Sequence, residues 1–304
     1  MKILDATTVL AQGLAFPEGP LDIGGGEVAF VEMAADRVAV LDRDSGGLRS
    51  VPCADGPNGL AVGRHPREVL VCLNGGLTFT KDADGRLTPG HAVDRHARGG
   101  IAYLHLDSGA RELLIAPGPD SPVSGPNDAV IAPPGSPSAG GFFFTDLGRQ
   151  LRTRVEPGGV FWCGLDGSGL TTVAYPRPGR PNGIGLSPDG KTLYVSESRS
   201  ARVWAWDVLG PGALGHAWLV HEFPRPTRLD GLTVTARGNL VCTNLVVGQL
   251  TVLSPAGQIL HVLTVEDPYP TNVIIEAGRG DYLLVTLGST GRIVRLHVPE
   301  LAPL

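Results

Sequence analysis

The sequence predicts an all-β fold, a six-bladed β-propeller with four antiparallel strands per blade, and three observations carry that prediction. Glycine (43) and proline (26) make up 69 of the 304 residues, yet 42% of the chain is hydrophobic and only 18% charged. Breakers this frequent leave few windows long enough for a helix and suit many short strands joined by turns. A short polar pattern recurs six times, and the segments after it read as successive short strands.

The pattern is a proline or another loop residue, then Glu, Asn or Asp, usually Gly, then an apolar run. Its copies are Pro17-Glu18-Gly19-Pro20, Pro57-Asn58-Gly59-Leu60, Pro126-Asn127-Asp128-Ala129, Pro181-Asn182-Gly183-Ile184, Leu229-Asp230-Gly231-Leu232 and Pro270-Thr271-Asn272-Val273. Counted from the polar residue (Asn272 in the last copy), the steps are 40, 69, 55, 48 and 42 residues. A base period near 40 is that of a four-stranded blade.

The fourth unit shows the blade most clearly. Strand A is expected at 183–187, B at 192–197, C at 202–208 and D at 216–223, with a Ser187-Pro188-Asp189-Gly190 turn between A and B. The fifth repeats this at 232–235, 239–244, 249–253 and 259–265. The sixth has only three strands, near 273–276, 282–287 and 293–297, so its outer strand must come from elsewhere. Residues 7–12 can supply it, closing the ring and removing an open sheet edge. The whole chain, 1–304, is thus expected to form one propeller domain.

Composition excludes other classes. A formal charge of −5 and a pI near 5.9 leave no electrostatic footprint for nucleic acid. No run of about 18 apolar residues marks a membrane span. The N-terminus turns polar too early for a signal peptide, and a cytoplasmic location is expected. Cys53, Cys72, Cys163 and Cys242 stand apart in apolar stretches, as buried free thiols do. Three lysines against 22 arginines hint at a GC-rich bacterial genome. A monomer or small homo-oligomer is expected.

In a propeller the first strand of each blade lies nearest the central channel, so residues just before it ring one mouth. The long B-to-C connections, 74–100 and 147–159, should overhang that mouth, where function concentrates in loops. Glu18, Asn127, Asn182 and Asp230 would bring two negative charges and two amide carbonyls together. Such an all-oxygen set suits one hard divalent ion: Ca²⁺ first, then Mg²⁺ and Mn²⁺, with Zn²⁺ last because no His or Cys holds a motif position. Asp128, Asp146, Glu197 and Asn244, at motif or B-strand ends, are candidate substrate contacts.

At these residues the chain resembles the gluconolactonase, senescence-marker-protein and luciferin-regenerating-enzyme family over nearly its whole length. The most specific pieces are Phe16-Pro17-Glu18-Gly19-Pro20, Gly125-Pro126-Asn127-Asp128 with Phe144-Thr145-Asp146, and Arg180-Pro181-Asn182-Gly183 with the Leu186-Ser187-Pro188-Asp189-Gly190 turn. The resemblance implies a lactonase with one divalent ion, usually Ca²⁺, at the channel mouth. It implies Glu18, Asn182 and Asp230 as ligands and Asn127 as a fourth ligand or a contact through water. Asn127 and Asp128 would also face the substrate, and Asp230 would act as base or water-activator. Where many gluconolactonases have a Glu-His pair ending the second-blade B strand, this chain has Leu73-Asn74-Gly75-Gly76.

The expected function is metal-dependent opening of a lactone, most readily a sugar lactone, by an ion-polarised carbonyl and a water activated by the ion or by Asp230. The alternatives are a biosynthetic family member acting on a natural-product lactone and a calcium-binding propeller without turnover. Weaker features complete the reading. Asp82-Ala83-Asp84-Gly85 is expected to be a hairpin turn, and His91, Asp94 and His96 a solvated loop. Arg149, Arg152 and Arg154 form a cluster that is either solvated or a lure for an acidic substrate. The Gly24-Gly25-Gly26 run has no helix behind it to make a phosphate loop. Trp162, Trp204, Trp206 and Trp218 are expected to pack between blades.

Overall fold

The structure, a computed structural model, describes residues 2–3, 7–93, 98–174 and 180–301. It is a six-bladed β-propeller of four-stranded antiparallel blades. The innermost strands, A1 to A6, are Pro17–Gly24, Pro57–Val62, Pro126–Ile131, Pro181–Leu186, Arg228–Val234 and Pro270–Ile275. Each touches the next, and A6 touches A1, so they close a ring around the channel. Their partners B1 to B6 are Glu27–Glu32, Glu68–Leu73, Gly141–Asp146, Thr192–Glu197, Leu240–Leu245 and Tyr282–Leu287. Thr7–Gln12 pairs antiparallel with Arg292–His297 and completes the sixth blade. Among the described residues no α-helix forms, and none is long and apolar enough to cross a membrane.

Each gap between neighbouring blades holds its own apolar cluster. Strand B2 shows why its sequence is continuously apolar rather than alternating. Val69, Val71 and Leu73 face the first blade, while Leu70 and Cys72 face the third. Side chains alternate across a strand, and both faces of every blade are covered, so both sets must be apolar. All four cysteines are buried and free, and burial pushes the Cys53 and Cys163 thiols up to about 11.

The polar motif does not precede strand A, as its spacing suggests; it lies inside the strand's first turn of pleat. All six A–B pairs carry one extra residue there, for example where Pro181 and Ile184 pair with Glu197 and Val195. Such a bulge re-aims side chains and leaves a backbone N–H without its ladder partner. In three blades a hydroxyl on strand B takes that N–H: Asp128 N donates to Thr145 Oγ1 (3.2 Å), Gly183 N to Ser196 Oγ (2.9 Å) and Asn272 N to Thr286 Oγ1 (3.0 Å). Hydroxyls also reach across to the next blade. Thr145 donates to the Asn182 carbonyl, Ser196 to that of Asp230 (2.6 Å) and Thr243 to that of Thr271 (3.1 Å). Thr271 Oγ1 closes the circle on the carbonyl of Pro17 at 2.8 Å.

Pairing also corrects the sixth copy. Pro270 pairs at the end of B6 as Pro126 does at the end of B3, so Thr271, not Asn272, stands at the register of Glu18 and Asn127. Asn272 takes the following position, beside Asp128 and the motif glycines. Those glycines are required by crowding: a Cβ at Gly59 would lie 2.5 Å from the Asn127 carbonyl oxygen, and one at Gly231 2.1 Å from Asn272 Oδ1.

Two peripheral features differ from expectation. Lys2–Ile3 adds a short fifth strand, parallel to Ile259–Thr264, on the fifth blade. Trp218 is 39% exposed on an outer strand, whereas Trp206 is buried between the third and fourth blades. The hydroxyl links give a test of the ring. Ser196→Ala orphans the Gly183 N–H and removes the link to Asp230, so it should cost about 1–2 kcal/mol. Urea unfolding should show a lower midpoint with an unchanged slope.

Candidate functional site

The bulges gather Glu18, Asn58, Asn127, Asn182, Asp230 and Thr271 at one register around the channel. All but Asp230, which is partly open, are buried. Asn272, one residue on, ties the acids together: its Nδ2 donates to Glu18 Oε1 at 2.7 Å and to Asp128 Oδ2 at 3.3 Å. Asn182 donates to Asp230 and, at 2.9 Å, to Ser198 Oγ. The Asn127 amide has no hydrogen-bond partner among the described residues.

Three acids therefore share one enclosed space, and among the described residues none makes an ion pair with Lys, Arg or His. Burial, opposed by hydrogen bonds from Asn272 and Thr271, pushes Glu18 up to about 7. Burial and then the charge of Glu18 push Asp128 up to about 7. Burial, followed by Glu18, raises Asp230 well above the usual carboxylate range. Asp128 lines a channel cavity of ≈ 320 Å³ with Asn272, on the far side of the ring from the mouth.

The B-strand ends serve other partners. Asp146 receives three backbone N–H groups, from Ser124 (2.6 Å), Gly125 (2.8 Å) and Gly148 (2.7 Å). Both its oxygens are thus engaged in holding the loop after B3. Glu197 Oε2 accepts from Ser200 while Oε1, though buried, has no partner. Asn244 donates to Thr251 at 2.8 Å and leaves Oδ1 buried and unpaired.

Both long connections fold over the mouth as hairpins. The first pairs Leu77–Lys81 with Leu87–Ala92, turning at Asp82-Ala83-Asp84-Gly85. It reaches over the first blade to the sixth, with Phe79 against Phe16 (ring centroids 5.2 Å apart) and Leu87 N donating to the Ser289 carbonyl at 3.0 Å. The second pairs Arg149–Gln150 with Val155–Glu156. Under them lies a cavity of ≈ 340 Å³, lined by Asn58, His91, Gln150 and three arginines, Arg149, Arg180 and Arg228. Asp94 and His96 fall outside the described residues, and Arg152 and Arg154 are exposed. The sequence reading passed over Arg180 and Arg228 as site residues, although each stands just ahead of a motif (Pro181-Asn182 and Leu229-Asp230). Burial, with Arg199 and Arg228 nearby, holds the Arg180 guanidinium below its ordinary value.

With this geometry in view, comparison with known proteins is specific. Residues 16–289 match the SMP-30/Gluconolactonase/LRE-like region. The chain belongs to that family. A lactonase, drp35, of Staphylococcus saprophyticus is 30% identical over 189 residues, covering 58% of this chain and 54% of its own length. This chain thus spans about half of that relative. A gluconolactonase of Zymomonas mobilis is 23% identical over 97% of this chain and 83% of its own. Among solved structures, regucalcin of Agrobacterium tumefaciens, described as a calcium-binding protein, superposes with a TM-score of 0.75 at 18% identity. That superposition covers 96% of this chain and 94% of regucalcin.

The residues present fit a hard divalent cation. Among the described residues no three of His, Cys, Asp and Glu group closely enough to hold an ion by themselves, so a site must combine carboxylates with amide oxygens. Glu18 and Asp230 supply negative charge without a basic partner, and Asn127 and Asn182 bring amides to the same register. This yields a pH prediction for protein held in chelator. A carboxylate whose folded pKa is raised stabilises the fold below its unfolded pKa and loses that contribution as pH rises through the folded value. Metal-free protein should therefore lose stability between about pH 4.5 and 7, as Glu18 and Asp128 ionise. Glu18→Gln should flatten that decline, recovering about 1–2 kcal/mol at pH 7.5, and should show no rise in Tm with Ca²⁺, where the parent protein is expected to show one. A decline unchanged in the variant would show that the acids do not titrate as a buried group.

Proposed function

We propose that this protein is a divalent-metal-dependent hydrolase that opens lactones, with Ca²⁺ the first choice of ion and Mg²⁺, Mn²⁺ or Zn²⁺ behind it. The observation that carries the reading is the coincidence of Glu18, Asn127, Asn182 and Asp230 at one bulged register beneath a covered mouth. Membership of a family with lactonase-named relatives supports the reaction class. Glu18, Asn182 and Asp230 would hold the ion, with Asn127 completing the set directly or through water. When bound, the ion supplies Lewis-acid polarisation of an ester carbonyl.

The chain's own groups supply the rest. Asp230, alone among the three acids in being partly open, takes the proton of the attacking water and returns it to the departing ring oxygen. Asn127, with its amide uncommitted, orients the carbonyl toward that water. The two hairpins limit solvent at the mouth, which strengthens each polar contact beneath them. Asp128, on the other side of the ring, is assigned to positioning of Asn272 and Glu18 rather than to substrate contact.

The decisive measurement is hydrolysis of a panel of aldonolactones and aliphatic lactones with Ca²⁺, Mg²⁺, Mn²⁺, Zn²⁺ or EDTA. Turnover should require the ion. Asp230→Asn should lower kcat by about 10²-fold or more while Tm in EDTA stays level or rises, and Glu18→Ala should lose ion binding and turnover together. Tight Ca²⁺ binding without turnover of any lactone would favour a calcium-binding propeller instead. Full activity in EDTA would overturn the proposal.

A further inference from the structure

We infer that the lactone taken by this site carries an anionic substituent, a carboxylate or a phosphoryl group, received by Arg180 and Arg228 beside Arg149. The inference rests on the lactonase reading for the word lactone, but not for the anion site.

Arg149, Arg180 and Arg228 line one cavity at the mouth, and none is neutralised there in the usual way. Arg228 is exposed, and its side chain makes no hydrogen bond or ion pair among the described residues. Arg180 bonds only neutral acceptors, the Leu147 carbonyl and Gln150 Oε1, each at 3.2 Å. Arg149 is 3% exposed, donates to the Val93 carbonyl at 2.8 Å and leaves its Nε buried without a partner. The one nearby carboxylate, Glu156, lies 3.6 Å from Arg149 and is shared with Arg98 at 3.7 Å and Arg154 at 3.1 Å.

Elsewhere Arg37, Arg43, Arg64, Arg67, Arg111 and Arg295 each lie against a carboxylate at 3.2 Å or less, and Arg152, Arg199, Arg225, Arg237 and Arg279, which have none among the described residues, are exposed to solvent. In a protein with net charge −5, this cavity differs in holding a buried and a half-buried guanidinium, Arg149 and Arg180, with no carboxylate closer than 3.6 Å. Planar guanidinium forks match the paired oxygens of a carboxylate or phosphoryl group. Set above an acid-lined ion site, they would hold the substrate by its anionic end and leave the ester over Asp230.

The test uses the full-length protein with saturating Ca²⁺ and three lactones: glucono-1,5-lactone, glucaro-1,4-lactone with its carboxylate, and 6-phosphoglucono-1,5-lactone. One or both charged lactones should exceed the neutral one in kcat/KM by about tenfold or more, with the advantage shrinking as NaCl is raised. Arg228→Ala, at an exposed position, should cost that advantage about tenfold through KM while the neutral lactone changes less than about twofold. The two charged lactones separate a carboxylate from a phosphoryl site. Calorimetric titration with glucarate and with inorganic phosphate reads the site without turnover, and an Arg180→Gln/Arg228→Ala double variant should lose that binding. Anion binding lost in the double variant, with no lactone turned over, would sink the lactonase reading and leave the anion site standing. A preference for the neutral lactone, or equal losses on all three in Arg228→Ala, would overturn the inference.

Discussion

One extra residue at the start of each innermost strand governs this molecule. Without the bulge, the polar residue after Pro17, Pro126 or Pro181 would continue the regular pleat. With it, six blades turn that residue to one register, where chemistry can be shared among strands that have no backbone ladder between them. The bulge also creates a debt of backbone donors in a buried place, and Thr145, Ser196 and Thr286 settle it from strand B. Because hydroxyls at the same level accept from their own blade and donate to the next, local repair and ring closure use the same row of side chains. Glycine then follows from spacing alone, since the next blade's backbone occupies the volume a Cβ would need.

That convergence concentrates charge of one sign. Glu18, Asp128 and Asp230 are brought into a desolvated space with amides and hydroxyls but no guanidinium or ammonium. Arginines do stand at the same mouth, yet they point into the cavity above the ring and satisfy themselves on carbonyls. The ring acids and these arginines are kept apart, and the carboxylate near Arg149 is the hairpin's own Glu156, at 3.6 Å. A structural salt-bridge network would have joined them, because each sign is the other's cheapest counter-charge. Their separation is the observation on which both the proposed cation site below and the proposed anion site above rest.

The ring was legible in sequence because its signals are chemical and periodic: turn residues, apolar runs and a polar residue every blade. Strands 192–197, 249–253 and 282–287 begin and end where turn chemistry says they should. The A strands start earlier than patterning suggests, because proline and asparagine read as loop residues and a bulge has no composition of its own. The same blindness put Asn272 rather than Thr271 in the sixth motif, since spacing counts residues while pairing counts hydrogen bonds. Among the site residues, the motif acids and amides were visible through repetition. Arg180 and Arg228 were not, because a guanidinium beside a turn looks solvated until two inserted hairpins, whose course no period encodes, are seen to roof it.

Asp146 shows how such hidden geometry is built. Read from sequence it is one more carboxylate at a strand end facing the mouth. In the fold its oxygens collect the N–H groups of Ser124, Gly125 and Gly148, and burial pushes its pKa up to about 6 against those bonds. The segments it clamps are the approach to Asn127 on one side and the stem of the Arg149 hairpin on the other. A single buried carboxylate therefore ties the segment leading to an amide of the ring to the segment leading to a guanidinium of the roof. The mouth thus holds acids of two kinds: Glu18, Asp128 and Asp230, hydrogen-bonded by amides but without a basic partner among the described residues, and Asp146, whose oxygens are taken up by the backbone.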